Sequence, residues 1–226
     1  MPKVYVFYNP LAGKGSCQDD VHFLDLIYDE PILYCNLTKP ETYERQLFTL
    51  EKEDILLLCG GDGTLQRFFN VVPYDTVPCD IFYFPLGCEN NFSRSLSKPF
   101  GCAPYPIRPY LQRLPKMSVG RRQICFFHSI EWKSPKCSDV TVSVDGEERT
   151  LKRLRAVLLL HDPNKQQLQL QLVGSCRFLP VKINLKQALT LCGNEISIQF
   201  PQATTLLLDG DPVTNITGYT ATLGTR

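Results

Sequence analysis

The hydrophobic period changes near residue 105, and this break restricts the chain to a fold in two parts. Before it, short apolar runs alternate with helical patterns. KVYVFY (3–8), ILYC (32–35), ILLL (55–58) and IFYF (81–84) read as strands. Between them, Val21, Leu24 and Tyr28 recur at helical spacing, with Phe23 and Ile27 on an adjoining stripe. Tyr43, Leu47 and Leu50 mark a second helix, and Leu65, Phe68, Phe69 and Val72 a third. Strand alternating with helix predicts a parallel sheet covered on both faces. CAPYPIRPY, rich in proline, then reads as a linker or crossing segment. Beyond it the apolar residues alternate at period two: Val140, Val142 and Val144; Leu168, Leu170 and Leu172; Ile196, Ile198 and Phe200; Tyr219, Ala221 and Leu223. Turn dipeptides separate these runs, which predicts an antiparallel sandwich or barrel. A helix around 184–191 (NLKQALTL) is the one expected interruption. A chain of 226 residues holds one large domain or two small ones. The expected division is an α/β domain over 1–106 and a β-sandwich over 107–226, with the last strand open to a return to the first domain. Two lobes of different class leave a cleft, where sites usually form.

Composition narrows the function classes. Lys plus Arg is 24 against 23 Asp plus Glu, a net charge of +1. This excludes a strongly basic footprint for nucleic acid or for an anionic membrane. No apolar run reaches the roughly 18 residues a spanning helix needs, and MPKVYVFYNP reads as a strand entering a loop, not as a signal peptide. The ten cysteines contain no CxxC pair, and several lie inside apolar runs. Buried free thiols in a reducing cytoplasm are expected over a disulfide framework. His22, His128 and His161 are isolated, and nothing matches zinc-ligand spacing.

Four turns carry candidate chemistry. In CGGDGTLQRFFN (59–70), Gly60, Gly61 and Gly63 follow a buried strand, and Thr64 is placed to cap the helix carrying Leu65, Phe68 and Phe69. Such a turn offers amide N–H groups and a positive helix end to phosphate. Asp62 in its middle fits a Mg²⁺ ion or a ribose hydroxyl; a tight βα turn that uses Gly and Asp for geometry alone is the alternative. NPLAGKGS (9–16) fits neither the Walker A pattern nor GxGxxG, but it is a Lys-bearing loop after a strand. In a parallel sheet it would lie beside the 60–64 turn, at the carboxyl edge. PLGCENNFSRSL (85–96) follows the fourth strand, with Arg94 a candidate phosphate partner or simply part of a loop. In LLLDGDPV (206–213) two carboxylates flank a glycine; Asp-Gly is also the favoured hairpin dipeptide, the reading given to Asp145-Gly146.

In this order the four turns resemble the diacylglycerol kinase catalytic family, which also includes the sphingosine and ceramide kinases and usually shows NPxSG, GGDGTxNEVxN, PLGTGNDFAR and a late LDGE. The resemblance covers residues 3–96 and returns over roughly 165–213. It implies an N-terminal nucleotide-binding α/β domain, a C-terminal β-sandwich, and ATP with Mg²⁺ as cofactors. By that resemblance Asn9, Pro10, Gly13 and Thr38 line the nucleotide. Thr38 alternatively caps a helix through a Thr38-x-x-Glu41 capping box. Gly60, Gly61, Gly63 and Thr64 cradle phosphates, Asp62 bears on Mg²⁺, and Cys88 and Asn90 of the third turn join the nucleotide site. Asp209 is the general base, and Asp211 stands where the family has Glu. The implied activity is transfer of the γ-phosphoryl group of ATP to a lipid hydroxyl such as that of diacylglycerol. The partners are a lipid or small-molecule alcohol and no nucleic acid, with peripheral membrane contact and a homodimer left open. The chain departs from the pattern at several places. Cys88 and Glu89 replace Thr-Gly, and Asn91 replaces Asp. The structural-metal segment reads NKQQLQL, with only Asp162 upstream. The family's glycine-rich stretches are largely missing from the second domain, and the chain is tens of residues shorter than the usual member. A nucleotide-binding pseudo-kinase and a kinase of a non-lipid alcohol are therefore the two alternatives.

Overall fold

The computed structural model describes residues 2–88, 90–98, 101–174 and 188–224. Its contacts divide the chain into two units, residues 1–112 and 113–226. The first unit holds β1 (Val4–Tyr8), α1 (Cys17–Asp20), β2 (Ile32–Asn36), α2 (Pro40–Leu47), β3 (Ile55–Gly60), α3 (Asp62–Val71), β4 (Asp80–Pro85), α4 (Asn91–Ser95), β5 (Tyr105–Pro106) and α5 (Arg108–Leu111). The sheet order is β2-β1-β3-β4-β5. The first four strands run parallel, and β5 is antiparallel to β4.

Both faces of this sheet are buried, as its continuous apolar strands require. On one face Val4 and Val6 pack with Cys17, Val21, Leu24, Leu57 and Phe84. The residues alternating with them on β1 point the other way: the Phe7 ring lies 6.1 Å from Tyr43 of α2 and 6.0 Å from Phe68 of α3. The first helical segment differs from expectation. It is the four-residue α1 followed by 3₁₀ turns over Val21–Leu26. Val21 and Leu24 are buried as the spacing required, but Phe23 and Ile27 are more than half exposed. A 3₁₀ turn repeats every three residues, so it carries the i, i+3 pair inward and turns the adjoining stripe out. Arg108 of α5 donates to the carbonyls of Tyr74, Val77 and Cys79, fastening the approach to β4.

The second unit is an antiparallel sheet of eight strands: β6 (Lys116–Val119), β7 (Arg122–Cys125), β8 (Ser129–Val144), β9 (Glu147–Asp162), β10 (Gln167–Gly174), β11 (Ala188–Gly193), β12 (Glu195–Leu208) and β13 (Asp211–Thr222), in the order β11-β10-β9-β8-β12-β13-β6-β7. Its ladders shift register within β8, between Lys133 and Val140, and within β12, between Gln199 and Leu206. Such bulges bend long strands, and Pro135 and Pro201 lie inside them, where a strand can spare its amide donor. The sheet doubles back on itself. β10 packs against β12 and β11 against β8, although two strands separate each pair in the sheet order. The inward positions of both layers, among them Val140, Val142, Leu168, Leu170, Ile196 and Ile198, form one core.

The expected helix at 184–191 is corrected in part. Residues 184–187 lie outside the described residues, but 188–193 form β11, paired to β10 from Val173↔Ala188 to Leu168↔Gly193. Leu189 and Leu191 alternate with Thr190, a period-two pattern that the open edge of β10 rewards with ladder hydrogen bonds. The closing strand, β13, pairs with β12 and β6 in this same sheet. Cys17, Cys35, Cys59 and Cys79 are buried free thiols; burial raises Cys17 to about 12 and Cys35 to about 11. No helix among the described residues is long and apolar enough to cross a membrane.

Candidate active site

The first unit brings three of the four predicted turns together at the carboxyl ends of β1, β3 and β4. β2 and β3 flank β1 on opposite sides, so the chain reverses its winding direction at β1 and opens a crevice there. Asn9 ties the first turn to the second. Its backbone N–H donates to the Cys59 carbonyl at 3.1 Å, its Nδ2 donates to Thr64 Oγ1 at 3.1 Å, and its Oδ1 accepts the Leu11 N–H at 3.1 Å. Pro10 follows directly. Gly13 has φ +63°, and a Cβ there would meet Leu86 O of the third turn at 2.7 Å.

The second and third turns touch backbone to backbone. The Gly60 carbonyl accepts the N–H groups of Leu86 and Gly87 at 3.0 and 2.9 Å, and the buried Tyr83 hydroxyl at 2.9 Å. A Cβ on Gly87 would lie 2.4 Å from Gly61 Cα, so no other residue fits without the two turns parting. Asn90 is buried, and its Nδ2 donates to the carbonyls of Gly87 (2.6 Å) and Pro85 (3.3 Å). Cys88 is exposed, and its carbonyl accepts Arg94 Nη2 at 3.4 Å while Arg94 Nη1 reaches Asn91 Oδ1 at 3.1 Å.

Asp62 is the hub. It is only 2% exposed. Its Oδ2 accepts the N–H groups of Asn91 (2.7 Å) and Phe92 (3.2 Å), and Phe92 also lies 3.3 Å from Oδ1. A carboxylate from α3 thus caps α4, whose own N-cap Asn90 makes no side-chain capping bond. Thr64 is not a cap: α3 already starts at Asp62 with Gly61 as its N-cap. The anchored Asp62 pulls the helix start back three residues, and the Thr64 hydroxyl is turned to Asn9 instead. The capping box at Thr38 is also absent. Lys39 is the N-cap of α2, without a side-chain bond, and Thr38 donates through both N and Oγ1 to Asn36 Oδ1 (2.8 and 2.7 Å). Thr38 sits exposed just beyond the carboxyl end of β2.

Small residues, backbone contacts and the opening amides of a ten-residue helix fit the phosphates of a nucleotide. The side chains do not fit a resident metal ion. No cluster of three or more His, Cys, Asp or Glu among the described residues could hold one, and the Asp62 oxygens are engaged by backbone amides.

The fourth turn lies in the second unit. Asp209 and Gly210, with φ +48° and +91°, are the two-residue loop joining β12 to β13. Asp145 and Gly146 (φ +47° and +89°) join β8 to β9 in the same conformation, as Asp-Gly favours. Their surroundings differ. Asp145 is exposed and accepts the N–H groups of Asn194 and Glu195. Asp209 is 7% exposed; its Oδ2 accepts Phe127 N–H (2.6 Å) and its Oδ1 accepts His128 and Ser129 N–H (2.8 Å each). Burial raises its carboxyl from 3.8 to about 6; the three amides oppose this, and the nearby Asp211 charge adds to it. Asp162, the carboxylate upstream of NKQQLQL, accepts the N–H groups of Asn164 and Lys165 in a local turn.

Residues 3–112 match the model of the diacylglycerol kinase catalytic domain. Those residues form a domain of the diacylglycerol kinase catalytic family. A crystal structure of a diacylglycerol kinase from Bacillus anthracis str. Sterne superposes with a TM-score of 0.68, at 16% identity over 99% of this chain and 94% of that one. A further diacylglycerol kinase-like structure from the same strain gives 0.67, at 17% identity over 99% and 95%. At these identities the likeness shows the fold alone. A search of curated protein sequences finds no match.

His161 is the residue that sequence reasoning passed over. It is 3% exposed, and its Nδ1 lies 3.0 Å from the Phe127 carbonyl, beside the amides that hold Asp209. The available signal was register: His161 continues the inward positions of Val157 and Leu159, where a polar ring needs a reason.

Proposed function

We propose that the protein is a lipid kinase that transfers the γ-phosphoryl group of MgATP to a hydroxyl of a lipid such as diacylglycerol. The observation that carries this reading is the convergence of the turns at Asn9–Gly13, Gly60–Thr64 and Pro85–Asn90, the first joined to the second by Asn9 and the second to the third segment by the Gly60 carbonyl and the Asp62 carboxylate. The phosphates lie against the backbone of Gly60, Gly61 and Gly63 and the first turn of α3. Asn9, Pro10, Gly13, Thr38, Cys88 and Asn90 form the surrounding wall. Asp62 keeps the second and third turns in register. Phosphoryl transfer asks mainly for such positioning and for aligned dipoles. The acceptor oxygen forms a bond to the γ-phosphorus as the bond to the β,γ-bridging oxygen breaks and ADP leaves. Asp209 takes the acceptor's proton. A carboxyl raised to about 6 suits a base working near neutral pH better than an ordinary aspartate. Asp211, beside it, helps to keep that proton affinity high.

The test is transfer of ³²P from [γ-³²P]ATP to diacylglycerol in mixed micelles, with other lipids and soluble alcohols in parallel. Labelled lipid is expected, falling about 10²- to 10⁴-fold in Asp209→Asn. One observation favours a second reading, a nucleotide-binding pseudo-kinase: two acidic residues of the motifs, Asp62 and Asp209, already accept backbone amides. Calorimetric binding of MgATP with no labelled product from any acceptor would select that reading. Label on a soluble alcohol alone would select the non-lipid kinase.

A further inference from the structure

Asp209 is held by the backbone of Phe127, His128 and Ser129, and His161 grips the same backbone from its other side. The peptide group between Phe127 and His128 turns its carbonyl to His161 Nδ1 (3.0 Å) and its N–H to Asp209 Oδ1 (2.8 Å). The next peptide group repeats the arrangement: the His128 carbonyl accepts the His161 backbone N–H at 2.8 Å, and the Ser129 N–H reaches Asp209 Oδ1 at 2.8 Å. Two amides therefore run in series from the histidine to the same carboxylate oxygen. Asp209 closes the loop by donating its own N–H to the Ser129 carbonyl at 2.9 Å.

A carbonyl can only accept, so the 3.0 Å contact assigns the proton to Nδ1 and leaves Nε2 bare. Nε2 is buried with no hydrogen-bond partner among the described residues. Burial lowers the ring's affinity for a second proton, so the imidazole stays neutral. A donor on a carbonyl polarises the amide and makes its N–H a stronger donor in turn.

We propose that His161 is a positioning residue for Asp209, holding and polarising the two peptide groups whose N–H bonds steady its ionised carboxylate. The bearing on catalysis rests on Asp209 being the base. The other ionisable groups near the pair are Asp211, beside Asp209, Asp162, beside His161, and His128, whose N–H Asp209 receives. All three stay in place in the variants below.

The experiment titrates the Asp209 carboxyl carbon by ¹³C NMR, with its signal assigned by its loss in Asp209→Asn. His161→Leu removes the donor and is expected to raise the Asp209 titration midpoint by about 0.5 or more, a threefold or greater rise in proton affinity. His161→Asn places an amide nitrogen near the Nδ1 position and is expected to return the midpoint to the wild-type value. A purely structural role would move stability in both variants and the midpoint in neither, and that result overturns the proposal. Should His161→Leu fail to fold, His161→Gln, whose amide reaches towards Nε2 and not Nδ1, is expected to give the same upward displacement. A ¹⁵N histidine spectrum of the unaltered protein is expected to show a protonated Nδ1; the opposite tautomer overturns the proposal without any variant. None of these readouts needs turnover. A displaced midpoint in a protein that phosphorylates no acceptor supports the relay and sinks the kinase reading instead. With turnover, the acid limb of kcat/KM is expected to move with the carboxyl.

Discussion

A carboxylate closed off from water and met by three amides is under two opposed forces, and at Asp209 desolvation wins: the carboxyl rises from 3.8 to about 6. The folded chain therefore holds this proton more tightly than the unfolded chain. The resulting stabilisation is complete below about pH 4 and is lost as pH rises through about 6. At 1.36 kcal/mol per pH unit, the swing is about 3 kcal/mol. Urea unfolding of the wild type and Asp209→Asn is expected to show the wild type losing about that much relative to the variant between pH 4 and 7. Above that range the gap should be flat. A gap constant across the range would mean that the carboxyl titrates as an ordinary surface aspartate. This distinction was not readable from the chain itself. Asp145-Gly146-Glu147 and Asp209-Gly210-Asp211 are the same turn locally, and both aspartates accept distant amides; what separates them is burial, Asp209 being closed off beside Phe127–Ser129 and Asp145 exposed.

At the level of elements, the residues of β11 read as a helix, but the four parallel strands and their turns were legible, because an apolar run closed by a turn has few ways to fold. The helix starts were not. Thr64 and Thr38 carry good capping chemistry, but the start of α3 was set by Asp62 reaching across to α4, and the Thr38 hydroxyl was drawn to Asn36. At α3 a long-range partner overrode the local cap, and at Thr38 a neighbour two residues upstream did so. The same contact makes Asp62 testable. Asp62→Ala would leave the Asn91 and Phe92 amides without their acceptor and is expected to cost about 2–4 kcal/mol, read by thermal or urea unfolding without added Mg²⁺. A loss that appears only when Mg²⁺ and nucleotide are present would instead identify a metal-bound carboxylate. The glycines divide in a similar way. Gly87→Ala drives a methyl to 2.4 Å from Gly61 Cα and is expected to weaken MgATP binding tenfold or more in calorimetry, because the second and third turns must separate. Gly146→Ala has nothing within 4 Å of the added methyl. It carries only the strain of its positive φ, about 1–2 kcal/mol, and should leave nucleotide affinity unchanged. Equal effects on MgATP binding would show that contact between the turns does not shape the site.

Across the whole molecule, the change of period near residue 105 was enough to anticipate two units of different class, and the diacylglycerol kinase-like architecture persists over 99% of the chain at 16% identity. Backbone turns and alternating strands tolerate wide sequence change, whereas the residues proposed to face the nucleotide lie in short stretches; this is why the fold could be read further than the chemistry. The cysteines offer a way to locate the nucleotide without altering either. Cys88, in the third turn of the first unit, and Cys192, on β11 of the second, are exposed, while Cys17, Cys35, Cys59 and Cys79 are buried with their thiols raised by desolvation. A disulfide reagent reacts through the thiolate, so Cys88 and Cys192 are expected to react quickly in the native protein and the four buried thiols only on unfolding. Cys88→Ser and Cys192→Ser assign their phases among those of the other cysteines, of which Cys102, Cys125 and Cys137 are partly exposed. MgATP at ten times its Kd should slow Cys88 about tenfold, in proportion to the sites left empty, and leave Cys192 unchanged. Since Cys192 reports any general tightening of the protein, slowing at Cys88 alone places the nucleotide against the Pro85–Asn90 turn. Binding that protects neither thiol would move it elsewhere.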